Sequence, residues 1–204
     1  MSNFRAVFII SLTSAMCLGA PPCFGAWFRS KVDAVSGATH SAKKKITLPP
    51  EGESYDISGV LPGLKNYVVK YDDNVYRGGD ILEPSAGKTL RKLGVKTIIS
   101  ITPNEYEREF CREYKFELVE MPFKKDTGVS EEDVNRFLET IRTGEGAFYV
   151  HCYGGTHRAG ILGAAYRIFI LNWPVEKALE EYDVLGGDFE TDRPMIEPLK
   201  RMVP

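Results

Sequence analysis

The chain has 204 residues, 43% hydrophobic and 26% charged, a composition that suits one globular domain and excludes disorder as the dominant state. Lys and Arg number 26 against 28 Asp and Glu, a formal charge of −2, so no global positive field exists to hold nucleic acid or an acidic membrane surface. The four cysteines, Cys17, Cys23, Cys111 and Cys152, match no zinc pair, no C-x-x-C redox pair and no disulfide-rich scaffold.

Arg5 is the only charge in the first 28 residues, and the apolar run 6–20 behind it leads to small residues at Gly19, Ala20, Gly25 and Ala26. This pattern predicts a secretory signal peptide over residues 1–25 and an exported, periplasmic or secreted protein. Cleavage after Gly25 leaves Cys111 and Cys152 as two thiols in an oxidising compartment. No later segment is apolar for long enough to cross a membrane, so no span is expected after cleavage.

Residues 26–65 are rich in Ser, Gly, Pro and Lys, carry the basic triplet Lys43 to Lys45, and show neither helical nor alternating periodicity. They read as an extended arm ahead of a domain over 66–204. Short strands are predicted at 67–71 and 74–76 around an Asp72-Asp73 turn, then a helix capped by Ser85 and stopped by Gly94. The β-branched run 95–101 predicts a buried strand, 103–114 a charged helix, and 116–121 a further strand. Ser130 and Asp133 form a capping box for a helix whose Val134, Phe137, Leu138 and Ile141 share one face, with Gly144 as its stop. A strand at 147–151 precedes a nearly all-apolar central helix at 159–171, Pro174 suits the first turn of a helix running through 175–184, and a helix at 194–202 completes the set. Strands alternating with helices imply an α/β fold, a central mostly parallel sheet flanked by helices, with ligands at the carboxyl ends of the strands.

The junction between the 147–151 strand and the central helix reads His151-Cys152-Tyr153-Gly154-Gly155-Thr156-His157-Arg158-Ala159-Gly160. A short Gly-containing loop between strand and helix turns successive backbone N–H groups inward above a helix N-terminus, which makes an anion cradle. A cysteine at its start feels the amides, the helix dipole and Arg158, all of which favour thiolate over thiol. Arg158 closes the loop, and its planar fork suits two oxygens of a tetrahedral oxyanion. Such a nucleophile facing a bound phosphate is a phosphoryl-transfer device that works through a phosphocysteine and needs no metal. A zinc site at His151, Cys152 and His157 lacks a fourth ligand at suitable spacing.

The His-Cys-x5-Arg pattern, with Gly155 three residues after the cysteine, resembles the cysteine-dependent protein tyrosine phosphatase superfamily, and most nearly its dual-specificity branch. Tyr76-Arg77-Gly78-Gly79 resembles the YR-small-small segment found ahead of that loop, and His157-Arg158 resembles the HR of plant and fungal atypical members, some of which act on inositol pyrophosphates. The resemblance implies a dual-specificity phosphatase-like fold and phosphomonoester hydrolysis. By position it makes Cys152 the nucleophile and Arg158 the phosphate and transition-state ligand. It makes Tyr153, Gly154, Gly155, Thr156 and His157 the rest of the phosphate loop, and His151 its support from behind. The family carries Ser or Thr after the arginine to assist breakdown of the phosphoenzyme; Ala159 stands here, which implies slow hydrolysis of the intermediate.

A carboxylic acid on a loop before the cysteine strand must protonate the leaving oxygen. Residues 121–128 resemble the family's acid loop and offer Asp126, with Glu131, Glu132 and Asp133 as competitors that also read as first-turn helix charges. Some family members guard the nucleophile with a second thiol, a role open to Cys111, whose other reading is an inert buried position. In the arm, Asp33-Ala34-Val35-Ser36-Gly37-Ala38-Thr39 resembles the target at which exported proteins receive covalent FMN on the threonine, here Thr39. A flexible linker is the alternative. The expected ligand is a phosphorylated substrate, either a phosphoprotein or an inositol phosphate drawn by Lys124-Lys125 and the arm lysines. A pseudophosphatase that binds phospho-ligands without turnover and a flavin-carrying redox protein are the rival functions.

Overall fold

Residues 56–203 are described by the computed structural model; the signal predicted over 1–25, the motif at Thr39 and the Lys43 to Lys45 triplet lie outside them. In chain order the elements are β1 (Asp56–Val60), β2 (Tyr67–Lys70), β3 (Val75–Gly78), α1 (Ser85–Lys92), β4 (Val95–Ser100), α2 (Glu105–Tyr114) and β5 (Glu117–Glu120). They continue with α3 (Glu131–Thr143), β6 (Ala147–His151), α4 (Arg158–Phe169), α5 (Val175–Val184) and α6 (Arg193–Arg201). The strands form one sheet in the order β1-β2-β3-β6-β4-β5. The four strands from β3 to β5 in that order run parallel, while β1 and β2 add an antiparallel edge.

The central strands β3, β4 and β6 are buried on both faces, so neighbouring residues enter different layers. Val69, Val75, Ile99, Phe148 and Val150 pack into one layer under α3, α4, α5 and α6. Val68, Tyr76, Ile98 and Tyr149 pack into the other, under α1 and α2. Helix α4 is buried on nearly every side, as its continuous apolar run predicts. The reciprocal Ser130–Asp133 capping box is present at α3, and Gly144 ends that helix.

Three local expectations are corrected. The arm predicted over 26–65 ends inside the fold, because Asp56 to Val60 pair antiparallel with β2. That edge strand is held by backbone pairing, and its Val60 is exposed, so it needs no apolar alternation to form. Helix α1 takes Pro84 as its N-cap instead of Ser85, whose hydroxyl donates to Glu83 Oε2 at 3.2 Å. Pro84 already sits in the helical region and so starts the turn one residue earlier. At α5 the reverse holds, since Pro174 is the N-cap and not part of the first turn.

One buried ion pair ties the central helix to α5. Arg167 donates from Nε and Nη2 to the two oxygens of Glu181, at 2.9 and 2.7 Å, and from Nη1 to the Tyr71 carbonyl at 2.9 Å. Its guanidinium also lies over the Trp173 ring at 4.2 Å. Removing one partner strands the other charge in the core. Glu181→Gln is expected to lower the unfolding free energy by about 3–5 kcal/mol in urea titration, and the double change Arg167→Met/Glu181→Leu by clearly less.

Candidate active site

Strand β6 lies between β3 and β4, and its carboxyl end delivers Cys152 and the loop that follows. The loop carbonyls are held from outside. The amide of Asp80 donates to Tyr153 O at 3.4 Å, Asn66 Nδ2 to Gly154 O at 2.8 Å, and Arg77 Nη1 to Thr156 O at 3.3 Å. His157 O receives the first α4 bond, from Ile161 N–H at 3.0 Å. In contrast, no backbone N–H group over residues 153–160 donates to an acceptor among the described residues. Helix α4 begins at Arg158 without a side-chain cap, so its first-turn donors stay open as well. Buried N–H groups are nearly always paired, and a run of unpaired ones at a helix N-terminus is the mark of an anion site.

The loop can take this shape because Gly155 has φ +75° and lies against the end of β3. A Cβ there would sit 2.4 Å from the Gly78 carbonyl carbon and 2.5 Å from Gly79 N. The Gly78-Gly79 pair thus leaves room for the loop backbone, and Tyr149 passes beneath to donate to Gly79 O at 2.7 Å. Burial, with the charges of Asp80 and Cys152 nearby, pushes the Tyr149 phenol well above its usual range and keeps it a neutral donor.

His151 is fully buried. Its Nε2 meets Glu107 Oε1, and Glu107 Oε2 accepts from Ser100 Oγ at 2.6 Å. Its Nδ1 lies 3.7 Å from Asp80 Oδ1. Asn104 caps α2 by accepting from Glu107 N–H, which sets the Glu107 side chain toward the ends of β4 and β6. Arg77, 1% exposed, is the other support. Burial alone would pull its guanidinium down, yet Tyr71, Tyr67, Glu181 and the Cys152 sulfur around it hold it above its ordinary value.

Cys152 is 3% exposed, whereas Arg158 is half-buried and reaches the Phe123 carbonyl of the 121–128 loop with Nη1 at 3.5 Å. The same loop sends Lys125 Nζ to within 3.4 Å of His157 Nδ1. Asp126 is exposed, and its carboxylate accepts from Thr127 N–H at 3.0 Å. Asp133 is engaged in its capping box and Glu131 approaches Arg201 Nε at 3.6 Å, which gives both of these competitors structural partners. Tyr153 is half exposed at the rim, with Lys65 Nζ 3.1 Å from its ring centroid.

The rings of His151 and His157 turn to different carboxylates, Glu107 and Asp192, and among the described residues no His, Cys, Asp and Glu side chains gather as a metal group. Cys111 and Cys152 are free thiols in core layers on opposite faces of the sheet. Burial, helped by the Glu107 charge, pushes the Cys111 thiol up to about 12. No helix among the described residues is long and apolar enough to cross a membrane.

A family model described as the DSP-PTPase phosphatase domain of Swiss Army Knife proteins, PTP-SAK, matches residues 83–181, the span that holds β4, β6, the loop and α4. The chain belongs to the cysteine-dependent protein tyrosine phosphatase superfamily, in its dual-specificity-like branch. It is a phosphatase. The dual specificity protein phosphatase TpbA of Pseudomonas aeruginosa is 27% identical over 175 residues, which cover 82% of this chain and 76% of that protein. Solved structures agree on the fold. TpbA carrying a cysteine-to-serine change, in complex with pTyr, superposes with TM-score 0.62 at 22% identity, covering 74% of this chain and 91% of its own. PTPMT1 in complex with PI(5)P gives 0.52 at 20% identity, covering 64% and 92%.

Several supports of this phosphatase site carry no local signal in the sequence. Glu107, Asp80 and Asn66 sit in ordinary polar stretches, and only Arg77 stood within a recognisable motif. Gly155→Ala forces a side chain onto the β3 backbone at a positive φ. It is expected to lower stability by about 1–3 kcal/mol and to weaken tungstate binding at least about tenfold by calorimetry, because the amides lose their aim.

Proposed function

We propose that the protein hydrolyses phosphomonoesters of phosphoproteins, on tyrosine and on serine or threonine, through a phosphocysteine. The observation that carries this reading is the run of unpaired loop N–H groups between a buried cysteine and an arginine. In the first step Cys152 Sγ bonds to phosphorus as the bond to the leaving oxygen breaks, and that oxygen takes the proton of the Asp126 carboxyl group. In the second, water attacks phosphorus, the S–P bond breaks to return the thiolate, and Asp126 takes the proton from water. The loop amides and Arg158 hold the equatorial oxygens through both steps, which is electrostatic stabilisation prepaid by folding.

Asp126 stands on the solvent side of its loop, bonded to Thr127 N–H, so it meets the leaving group only as the loop closes on a substrate. Tyr153, exposed beside the nucleophile, offers a surface for a phosphorylated side chain and its backbone. An inositol phosphate is the alternative substrate, favoured by the exposed Lys124 and by the PI(5)P complex of PTPMT1. Against it, Lys125 is already committed to Asp192 and Thr191 within the protein. The N-terminal signal pattern supports action outside the cytoplasm.

Phosphate release should vanish in Cys152→Ser; ligand binding with no release by the wild type would select the pseudophosphatase instead. Asp126→Asn should lower kcat on an alkyl phosphate by about a hundredfold and on an activated aryl phosphate only a few-fold, since a good leaving group needs no acid. Because Ala159 provides no hydroxyl, stopped-flow traces with an aryl phosphate should show a burst of about one product per enzyme before a slower steady rate. A linear trace at high turnover would contradict that.

A further inference from the structure

Asp192, just ahead of α6, is fully buried, and its carboxylate gathers groups from separate parts of the site. Oδ2 accepts from His157 Nδ1 at 2.5 Å, from Asp188 N–H at 3.0 Å, and from the Tyr182 hydroxyl. Oδ1 pairs with Lys125 Nζ at 2.8 Å, and the same ammonium donates to Thr191 Oγ1 at 2.8 Å. An ionised carboxylate only accepts, so Nδ1 of His157 carries its hydrogen toward Asp192. Burial by itself would raise the Asp192 carboxyl, but the bonds from His157, Lys125 and Tyr182 more than offset it and hold the group below its ordinary range.

The connections matter more than the charge. Lys125 precedes Asp126 on the 121–128 loop, and His157 precedes Arg158 on the phosphate loop. A single buried carboxylate therefore joins the segment that carries the proposed acid to the one that grips phosphate. Lys125 Nζ also approaches His157 Nδ1 directly at 3.4 Å, and a further bond between the loops, from Arg158 Nη1 to Phe123 O, is long at 3.5 Å and uses the fork that a bound oxyanion would claim. The Lys125–Asp192 pair involves no group assigned to phosphate, so a substrate need not displace it.

We propose that Asp192 is a positioning residue that latches the acid loop onto the phosphate loop, with Lys125 on one oxygen and His157 on the other. This deepens the reading above, in which residues 121–128 bring Asp126 to the leaving group, and rests on it for its kinetic consequence. Its structural consequence stands without it. Two changes to the full-length chain separate the limbs: Asp192→Asn weakens both, and Lys125→Met removes only the acid-loop limb from a side chain that is 37% exposed.

Hydrogen exchange read by mass spectrometry should show faster exchange over residues 123–127 in both variants, with α4 unchanged. In steady-state kinetics kcat on an alkyl phosphate should fall about tenfold to a hundredfold, and on an activated aryl phosphate only a few-fold, with KM little altered. Unchanged exchange over 123–127 in both variants overturns the latch, as does a rise spread through the domain with equal losses on the two substrates. Faster loop exchange in a protein whose phosphate release does not depend on Cys152 would sustain the latch while rejecting the catalytic reading. If Asp192→Asn fails to fold, Lys125→Met alone decides, because the bonds of Asp192 to His157, Tyr182 and Asp188 remain in it.

Discussion

The site depends on where a short loop spends its carbonyls. Asp80 N–H, Asn66 and Arg77 take the oxygens of Tyr153, Gly154 and Thr156 from outside, while the backbone N–H groups over 153–160 have no acceptor among the described residues. Donors left without a protein partner are open to water or to an anion. The fold tolerates that arrangement because the carbonyls of Tyr153, Gly154 and Thr156 are anchored and Gly155 lies against β3. A pre-aimed set of dipoles needs no reorganisation when charge develops on a transferring phosphoryl group, and this gives the loop its catalytic value.

Around this loop the supporting groups are buried and charged, and they come from many elements. His151 is fixed by Glu107, which Ser100 fixes in turn; Arg77 lies under Thr156; and Asp192 binds His157. Hydrogen bonds among buried polar groups favour one arrangement of the segments they join, and here they join β3, β4, α2, the acid loop and the segment before α6. The long Arg158–Phe123 bond is the weakest tie among them and the one a substrate is placed to break.

The nucleophile, the arginine and the elements that present them are readable in the sequence because they rest on local pattern. A short strand, a fixed Cys-to-Arg spacing and an apolar helix all lie within residues 147–171. The capping box at Ser130 is equally local. What cannot be read there is long-range. Glu107 reaches His151 across 44 positions and Asp192 reaches His157 across 35, and in the sequence both look like solvated charges. Lys125 and Asp126 show the same limit. Position singles out the aspartate, whereas folding turns the lysine toward the phosphate loop and leaves the aspartate outside. Strand β1 carries no apolar alternation in the sequence because its pairing is made by backbone atoms.

A crystal structure of the full-length protein with orthovanadate tests the central claim most directly. The account predicts vanadium bonded to Cys152 Sγ, with its equatorial oxygens accepting from the backbone N–H groups of the loop and from both arms of the Arg158 fork. An oxyanion bound elsewhere, or held by side chains while the loop amides face away from it, would contradict the account.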